Sequence, residues 1–372
     1  FKELLGEMIY IGDHHRELPS PLELKHKVVL KSKMSKNASA PVTGENSSYL
    51  SVSSSSSYES ELELPEIRSR RKRGMRRLSL SKRVQVIESI LLMSAIYGIK
   101  FRNFSLPESK TPTHCFSLDE KKFENLCKDE NQKLSIDKHD RRHLMRIYPH
   151  AFRYKSSNFN PIKFWELGVQ MVATNWQTYD LGQQINQAMF QIPFQRNSTW
   201  HSGYVLKPEH LLQNVQKTKD ISSIYEKEKH KRIAVHIEIL SAQLLPKPKE
   251  SKEKDCSFAP YVCLRFICDK LIRPLHVSNG FAISGSEGST KYCKDNGFNP
   301  VWETGFDITL RDTSFNFLSF TVKSGDVGIA TCCLRLDYLK KGYRHIPLYS
   351  MEGERFIFST LFIKIDYNSF TC

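Results

Sequence analysis

The sequence has no apolar run long enough to cross a bilayer, which takes about 20 residues. Its most apolar stretch, residues 84–99, is interrupted by Gln85, Glu88 and Ser89. The nine cysteines include no Cys-x-x-Cys pair, and no two histidines stand as His-x-His, so the usual spacings of a zinc site are missing. These absences favour reduced thiols in a cytoplasmic protein that contacts membranes only peripherally.

Acidic residues are also in short supply. The 372 residues contain 40 acidic and 55 basic side chains, which gives a formal net charge of +15. Such an excess indicates an anionic partner, either lipid head groups or nucleic acid, and composition alone does not choose between them. The length allows two or three domains with cores of their own.

The chain begins at Phe1 within an amphipathic pattern that has no helix cap, and we therefore expect a truncated sequence. From about Met34 to Arg83 the apolar pattern disappears, and a serine run is followed by an acidic segment and then by a basic arm. Such a composition predicts a disordered insert. Within the arm, Arg76-Arg77-Leu78-Ser79 matches a basophilic kinase site at Ser79. A solvated spacer or a nuclear-localisation signal is the alternative interpretation of this arm.

The middle of the chain alternates strand and helix patterns. Strands are predicted over 27–33, 97–104, 144–148 and 169–175, a charged helix over 118–131, and a second helix that begins at Asn160-Pro161 and ends at Gly168. This alternation is typical of parallel α/β units, such as part of a (β/α) barrel.

Beyond a charged linker at 226–232 the apolar period changes to two. Apolar residues alternate with polar ones from Ile233 to Ile239, from Leu318 to Val322 and from Leu361 to Ile365. Turn signals separate these strands and no helical pattern intervenes, which predicts an antiparallel β-sandwich of a little over a hundred residues.

Several motifs occur in one order along the chain. They are LPSP at 18–21, KSK at 31–33, KFRNF at 100–104, RIYP at 146–149, SSNFNP at 156–161, FW at 164–165, QMVATNWQT at 170–178, GYVLKP at 203–208, LPKP at 245–248, NGFNPVW at 296–302 and KGYRHIPL at 341–348. Together they resemble the eukaryotic phosphoinositide-specific phospholipases C of the delta-like type. The resemblance implies the end of the catalytic X region at 1–33, a disordered X/Y linker at 34–93, the catalytic Y region at 94–225 and a C2 domain at 226–372. The implied fold is α/β plus all-β: the C-terminal half of a TIM-like (β/α) barrel followed by an antiparallel C2 β-sandwich.

The resemblance implies calcium-dependent cleavage of phosphatidylinositol 4,5-bisphosphate into diacylglycerol and inositol trisphosphate. In this family one histidine helps to deprotonate the inositol 2-hydroxyl, a second assists departure of diacylglycerol, and Ca²⁺ stabilises the transition state. These histidines and the calcium ligands belong to the X region, so we expect them upstream of Phe1 and none of the catalytic residues within this chain.

Residues for substrate phosphates are expected in the chain itself. Lys31 and Lys33 are two apart on a predicted strand, so both side chains lie on one face; Arg146 and Tyr148 repeat this spacing. By resemblance these four residues and Ser117 bind the inositol phosphates. Without the surrounding motifs, a Lys-x-Lys or Arg-x-Tyr pair is more often a solvated strand edge. Cys115 stands where the family has a further phosphate-contacting serine.

The aromatic and histidine side chains also have two possible interpretations. By resemblance Phe152 belongs to a hydrophobic rim that enters the bilayer around the active site, although a core Phe is the simpler alternative. Trp165 and Trp176 are interpreted as barrel packing. The histidines at positions 114, 139, 143, 150 and 201 match no catalytic position and are interpreted as surface residues.

The sandwich retains few ligands for calcium. By resemblance Asp295 and Asp326 occupy calcium-binding positions, whereas Ala259 and Ser324 replace other ligands. Calcium needs six to eight oxygen ligands, so this site is predicted to be incomplete. We expect the C2 domain to pack against the barrel and to contact membrane with little dependence on calcium.

Two classes of function remain open. The first is a fragment of an active phospholipase C at the cytoplasmic face of membranes, and the second is a catalytically inactive phosphoinositide-binding relative. Nucleic-acid binding through the basic arm is not expected, because no nucleic-acid-binding motif accompanies it. A nuclear location stays open because of that arm.

Overall fold

The computed structural model describes residues 2–12, 18–34, 88–190, 203–212, 230–248, 258–312 and 314–371. The chain divides into two compact units, Phe1–Gly98 and Ile99–Cys372, and each is described by itself. Most of the predicted insert, including Ser79, and most of the predicted linker at 226–232 lie outside the described residues. Among the described residues, no helix is both long and apolar enough to cross a membrane.

The first unit is small. Its helices are α1 (Lys2–Leu5) and α2 (Glu88–Met93), and its strands are β1 (Ile9–Tyr10), β2 (Val28–Val29), β3 (Lys31–Lys33) and the start of β4 (Ile96–Lys100). Strand β1 pairs with β2, and β3 pairs with β4, both in parallel. Helix α2 lies within the segment that the sequence assigned to the linker.

The second unit begins with alternating strands and helices. They are β5 (His114–Asp119), α3 (Glu120–Leu126), α4 (Glu130–Asp140), β6 (Leu144–Tyr148), α5 (Ile162–Trp165), β7 (Met171–Val172) and α6 (Leu181–Phe190). Strands β5, β6 and β7 are parallel neighbours in that order. One face of β5 and β6, with Phe116, Leu118, Met145 and Ile147, packs into a buried cluster that also contains Phe123 of α3 and Ile136 of α4. The predicted strand at 144–148 and the α/β alternation are confirmed.

The single charged helix predicted over 118–131 is wrong. The structure has two helices there because each has its own N-terminal cap: Asp119 accepts a hydrogen bond from the Lys122 amide, and Asp129 accepts one from the Asn131 amide. The next helix is capped as predicted, since Asn160 accepts a bond from the Ile162 amide at 3.1 Å. The strand predicted over 169–175 forms a ladder only at Met171–Val172.

The rest of the second unit is antiparallel β structure. Its strands are β8 (Lys231–Gln243), β9 (Pro260–Ile267), β10 (Leu271–Ser278), β11 (Gly280–Ser284), β12 (Glu287–Thr290), β13 (Val301–Arg311), β14 (Phe317–Ser324), β15 (Val327–Arg335), β16 (Gly342–Tyr349) and β17 (Arg355–Thr371). The strand order is β10-β13-β8-β17-β16-β15-β14-β9-β12-β11. A single residue pair, Thr331 with Tyr349, joins β15 to β16. One buried core takes residues from both sides of this junction, so the sheet folds over itself as a sandwich.

A separate buried cluster joins the α/β part to the sandwich. Trp165 of α5 and Ile185 and Met189 of α6 pack with Phe317 of β14 and with the preceding Phe315. At the same contact, Thr331 Oγ1 lies 3.1 Å from Gln184 Oε1. The two parts of the second unit therefore share a core, which agrees with the expected packing of the sandwich against the α/β part.

Candidate phosphate-binding site

The candidate site lies on the face of β5 and β6 that points away from their buried cluster. Alternation along β5 places Cys115, Ser117 and Asp119 on this face, and the parallel register sets Ser117 beside Arg146 and Asp119 beside Tyr148. The site is thus at the carboxyl ends of adjacent parallel strands, which is where ligands bind in sheets of this kind.

Arg146 is the central cation of this face. Its guanidinium carbon lies 5.3 Å from the centre of the Tyr148 ring, and both side chains are half-buried. Across the described residues no carboxylate pairs with Arg146. Because its planar fork matches a phosphate, the group is arranged to receive an anionic ligand beside an aromatic ring.

The two short polar side chains of β5 differ in accessibility. Ser117 is half-buried, and its hydroxyl can donate to an anion held by the neighbouring Arg146. Cys115 is completely buried. A phosphate therefore cannot reach Cys115 as it could reach an exposed serine.

Lys31 and Lys33 belong to the first unit. Both side chains are exposed on β3, and the intervening Ser32 is half-buried, so the two lysines share one face as the spacing predicts. Lys31 runs close to β4: a Cβ added at Gly98 would lie 3.4 Å from Lys31 Nζ.

Phe152 lies in the loop that follows β6. Its side chain is 51% exposed, and the ring lies 5.9 Å from that of Tyr154, which is 83% exposed. Phe152 is therefore not a core residue, and two aromatic rings project at the same edge of the sheet as Arg146.

Comparison with known proteins shows which family the segment that contains β5 and β6 resembles. Residues 91–210 match the model of the phosphatidylinositol-specific phospholipase C Y domain. The chain is 48% identical to 1-phosphatidylinositol 4,5-bisphosphate phosphodiesterase 1 of Saccharomyces cerevisiae over 97% of its own length and 43% of the relative's. The chain belongs to the phosphatidylinositol-specific phospholipase C family. It is also 26% identical to mouse Inactive phospholipase C-like protein 2, over 98% of the chain and 30% of that relative.

The fold agrees with the family. A crystal structure of S. officinalis PLC21 superposes with a TM-score of 0.65 at 19% identity, covering 100% of this chain and 42% of that one. The chain thus spans less than half the length of the phospholipase C relatives it matches.

The loop after β6 is fixed to α3 by an ion pair between a half-buried arginine and a buried glutamate, which the sequence did not predict. Arg153 Nε and Nη2 donate to Glu120 Oε1 and Oε2 at 2.5 and 2.6 Å, and the His150 amide adds a third bond at 2.9 Å. Burial alone would raise the pKa of Glu120, but these hydrogen bonds outweigh it and lower the pKa. The pair positions Phe152, one residue before Arg153.

The interpretation of His139 as a surface residue is wrong. Its ring is buried and stacks on Phe116 with centroids 5.1 Å apart. Burial, together with nearby His143, lowers the pKa of His139 to about 4. His114, His143 and His150 are half-buried, and His201 lies outside the described residues.

The two tryptophans also differ. Trp165 is a packing residue, as predicted, but it lies in the cluster shared with the sandwich, whereas Trp176 is 67% exposed and is not a packing residue. Whether His139 and Trp176 are buried depends on the tertiary fold, which the local sequence pattern does not reveal.

The carboxylates expected at a calcium site in the sandwich are both exposed. Asp295 has a positive φ of 52° in the loop before β13, and Asp326 lies in the turn between β14 and β15. No group of three or more His, Cys, Asp or Glu side chains within the described ranges could hold a metal ion. Since calcium needs several oxygen ligands at once, these two residues do not by themselves fit the ion.

Proposed function

We propose that this protein is a phosphoinositide phospholipase C that hydrolyses phosphatidylinositol 4,5-bisphosphate to diacylglycerol and inositol trisphosphate. The observation that carries the proposal is Arg146, a half-buried guanidinium without a carboxylate partner in the described part of the chain, beside Tyr148 in the Y domain. The name of the yeast relative supports the same substrate.

Each site residue has a role in holding the inositol head group. Arg146 forks onto a ring phosphate, the Tyr148 ring lies against the inositol, and Ser117 donates to a phosphate oxygen. That Lys31 and Lys33 bind the remaining phosphates stays a prediction of the resemblance. Binding the head group in one orientation presents its phosphodiester to the catalytic groups, which is the contribution of such residues to rate.

The proposal includes Ca²⁺ as the cofactor, which in this chemistry lowers the pKa of the attacking hydroxyl and neutralises charge on the phosphorus. The described residues contain no group of three or more His, Cys, Asp or Glu side chains that could hold the ion. The expectation that the catalytic histidines and the calcium ligands are absent from this chain stays a prediction.

We also propose that the α/β part is the second half of a TIM-like barrel and that the sandwich is a C2 domain. The parallel order β5-β6-β7 and the likeness to the S. officinalis structure support this. The protein would act at the cytoplasmic face of an anionic membrane, with Phe152 in the rim that enters the bilayer. The kinase site at Ser79 and a nuclear location stay predictions.

A catalytically inactive, phosphoinositide-binding protein is the second candidate. A relative whose name calls it inactive matches nearly the whole chain, so this part of the sequence is compatible with either outcome.

A chimera tests whether this part of the sequence supports turnover, which the first candidate requires. The yeast relative would carry this chain in place of its own aligned region, and calcium-dependent release of inositol trisphosphate from vesicles would be measured. We expect release, and we expect Arg146→Ala to reduce kcat/KM by about 30- to 150-fold, because a forked charge-assisted contact is worth about 2 to 3 kcal/mol.

Arg273→Ala, an exposed arginine of β10, is the matched control and should leave the rate unchanged. A folded chimera that binds the vesicles without turnover would favour the inactive candidate. Full activity of the Arg146→Ala chimera would refute the assigned site.

A further inference from the structure

A surface cavity of about 400 Å³ lies beside Phe152, between α3 and the loop that follows β6. Its charged lining residues are Lys121, Lys163, Arg153, Glu120 and Glu124, and His150 and Phe152 also line it. None of the proposed substrate residues lines it. Helix α3 follows β5 directly, so the cavity opens at the carboxyl edge of the parallel strands.

The cavity has an excess of positive charge. Glu120 and Arg153 neutralise each other through two short hydrogen bonds. Lys163 lies 3.7 Å from Glu124, and since both side chains are exposed, this pair is weak. Lys121 is exposed, and no carboxylate pairs with it within the described segments. The charge of Lys121 is therefore not neutralised by a neighbouring carboxylate, and the charge of Lys163 is neutralised only by the weak pair with Glu124.

His150 adds a hydrogen-bond donor of defined orientation. The Phe152 amide donates to His150 Nδ1 at 3.2 Å, so Nδ1 is an acceptor and the ring proton is on Nε2. The imidazole can thus donate through Nε2–H without being charged. Ammonium groups with a neutral N–H donor form a set that suits a phosphate oxygen.

The surroundings indicate where that phosphate comes from. Phe152 lines the cavity and is 51% exposed, and Lys121 Nζ lies 5.9 Å from the centre of its ring. An aromatic ring entering the bilayer interface would bring the adjoining ammonium group to the level of the lipid phosphates.

We propose that this cavity binds the phosphate of an anionic membrane lipid that is not the substrate. Occupation of the cavity fixes the loop at the bilayer surface while the neighbouring face of β5 and β6 stays free for its own ligand. Like the proposed function, this lipid site requires contact with a membrane, but it depends neither on the identity of the substrate nor on catalysis.

The test measures binding to phosphatidylcholine vesicles with and without phosphatidylserine, at one salt concentration and in the absence of phosphoinositide. Lys121→Glu is compared with Lys138→Glu, which makes the same charge change at the end of α4, next to the amino end of β6. Because a lysine at an anionic surface contributes about 1 kcal/mol, we expect at least about a fivefold weaker Kd for Lys121→Glu and less than about twofold for Lys138→Glu.

Several outcomes would overturn the proposal. Equal losses for the two variants would mean diffuse attraction by the net charge, and no loss for Lys121→Glu would mean that the cavity is not used. Tight binding of free glycerophosphoserine or inorganic phosphate, lost in Lys121→Glu, would assign the cavity to a soluble phosphate instead of a lipid. Thermal unfolding of each variant confirms that it is folded.

Discussion

Removal of Arg153 tests the ion pair that holds the loop after β6. In Arg153→Ala the carboxylate of Glu120, which is 4% exposed, keeps only the bond from the His150 amide. Hydrogen bonds to a charged group are worth about 1.5 to 3 kcal/mol, and because the Arg153 side chain is 27% exposed we expect a loss in this range. The guanidinium also donates to Ser157 Oγ at 3.0 Å and to the Asn158 carbonyl at 3.1 Å, so the loop loses further support.

The measurement is urea unfolding followed by tryptophan fluorescence, with Lys163→Ala as the control. Lys163 also pairs across segments, with Glu124, but both side chains are exposed, so its loss should cost less than about 1 kcal/mol. Similar losses for the two variants would refute the idea that the hydrogen bonds from Arg153 to the buried Glu120 are stronger than an exposed ion pair.

The same pair predicts a pH dependence. The folded pKa of Glu120 is below its ordinary value of 4.5, so the stability it contributes is present above 4.5 and is lost as the pH falls through the lowered folded value. The difference in the free energy of unfolding between the unmodified chain and Arg153→Ala should therefore shrink in acid. A difference that stays constant down to about pH 2 would contradict this cause.

Two further predictions concern the interior. The pKa of His139 is lowered to about 4 from an ordinary 6.5, so the unfolded chain takes up the proton first and stability should fall as the pH drops from 6.5 to 4. His139→Phe, which can keep the stack on Phe116, should flatten that slope in urea unfolding, and an unchanged slope would contradict the assignment. Phe317→Ala should cost about 3 to 5 kcal/mol because the ring is 1% exposed in the core shared with the sandwich. Phe298→Ala, at a ring that is 72% exposed, should be near neutral, and equal midpoints for the two would refute the shared core.

Local patterns predicted the elements whose period is strong. The two-residue alternation from Ile233 to Ile239 lies within β8, and that from Leu318 to Val322 lies within β14, because one face of each strand is buried in the sandwich core. The break between α3 and α4 could also have been predicted, because Asp119 and Asp129 are ordinary N-cap residues. The charged run between them was instead interpreted as one continuous helix.

Contacts between residues that are distant in the sequence could not be predicted from local patterns. Glu120 and Arg153 are 33 positions apart, and no period or spacing relates them. For the candidate site, the i, i+2 spacing placed Arg146 and Tyr148 on one strand face, but the register that sets Ser117 beside Arg146 is a property of the assembled sheet. The missing carboxylate partner of Arg146 among the described residues is likewise known only from the fold.

The core shared by α5, α6 and β14 has a consequence for how the protein would meet a membrane. Phe317 and Trp165 pack the sandwich against the part that carries Phe152. If the sandwich contacts membrane as the sequence predicts, the second unit would meet the bilayer as one body at two sites, the Phe152 loop and the sandwich. Once one site is bound, the other is already held near the surface, and its binding becomes an intramolecular step at high effective concentration. Two weak contacts can in this way produce firm attachment and also set the tilt at which the head-group face of β5 and β6 meets the lipid.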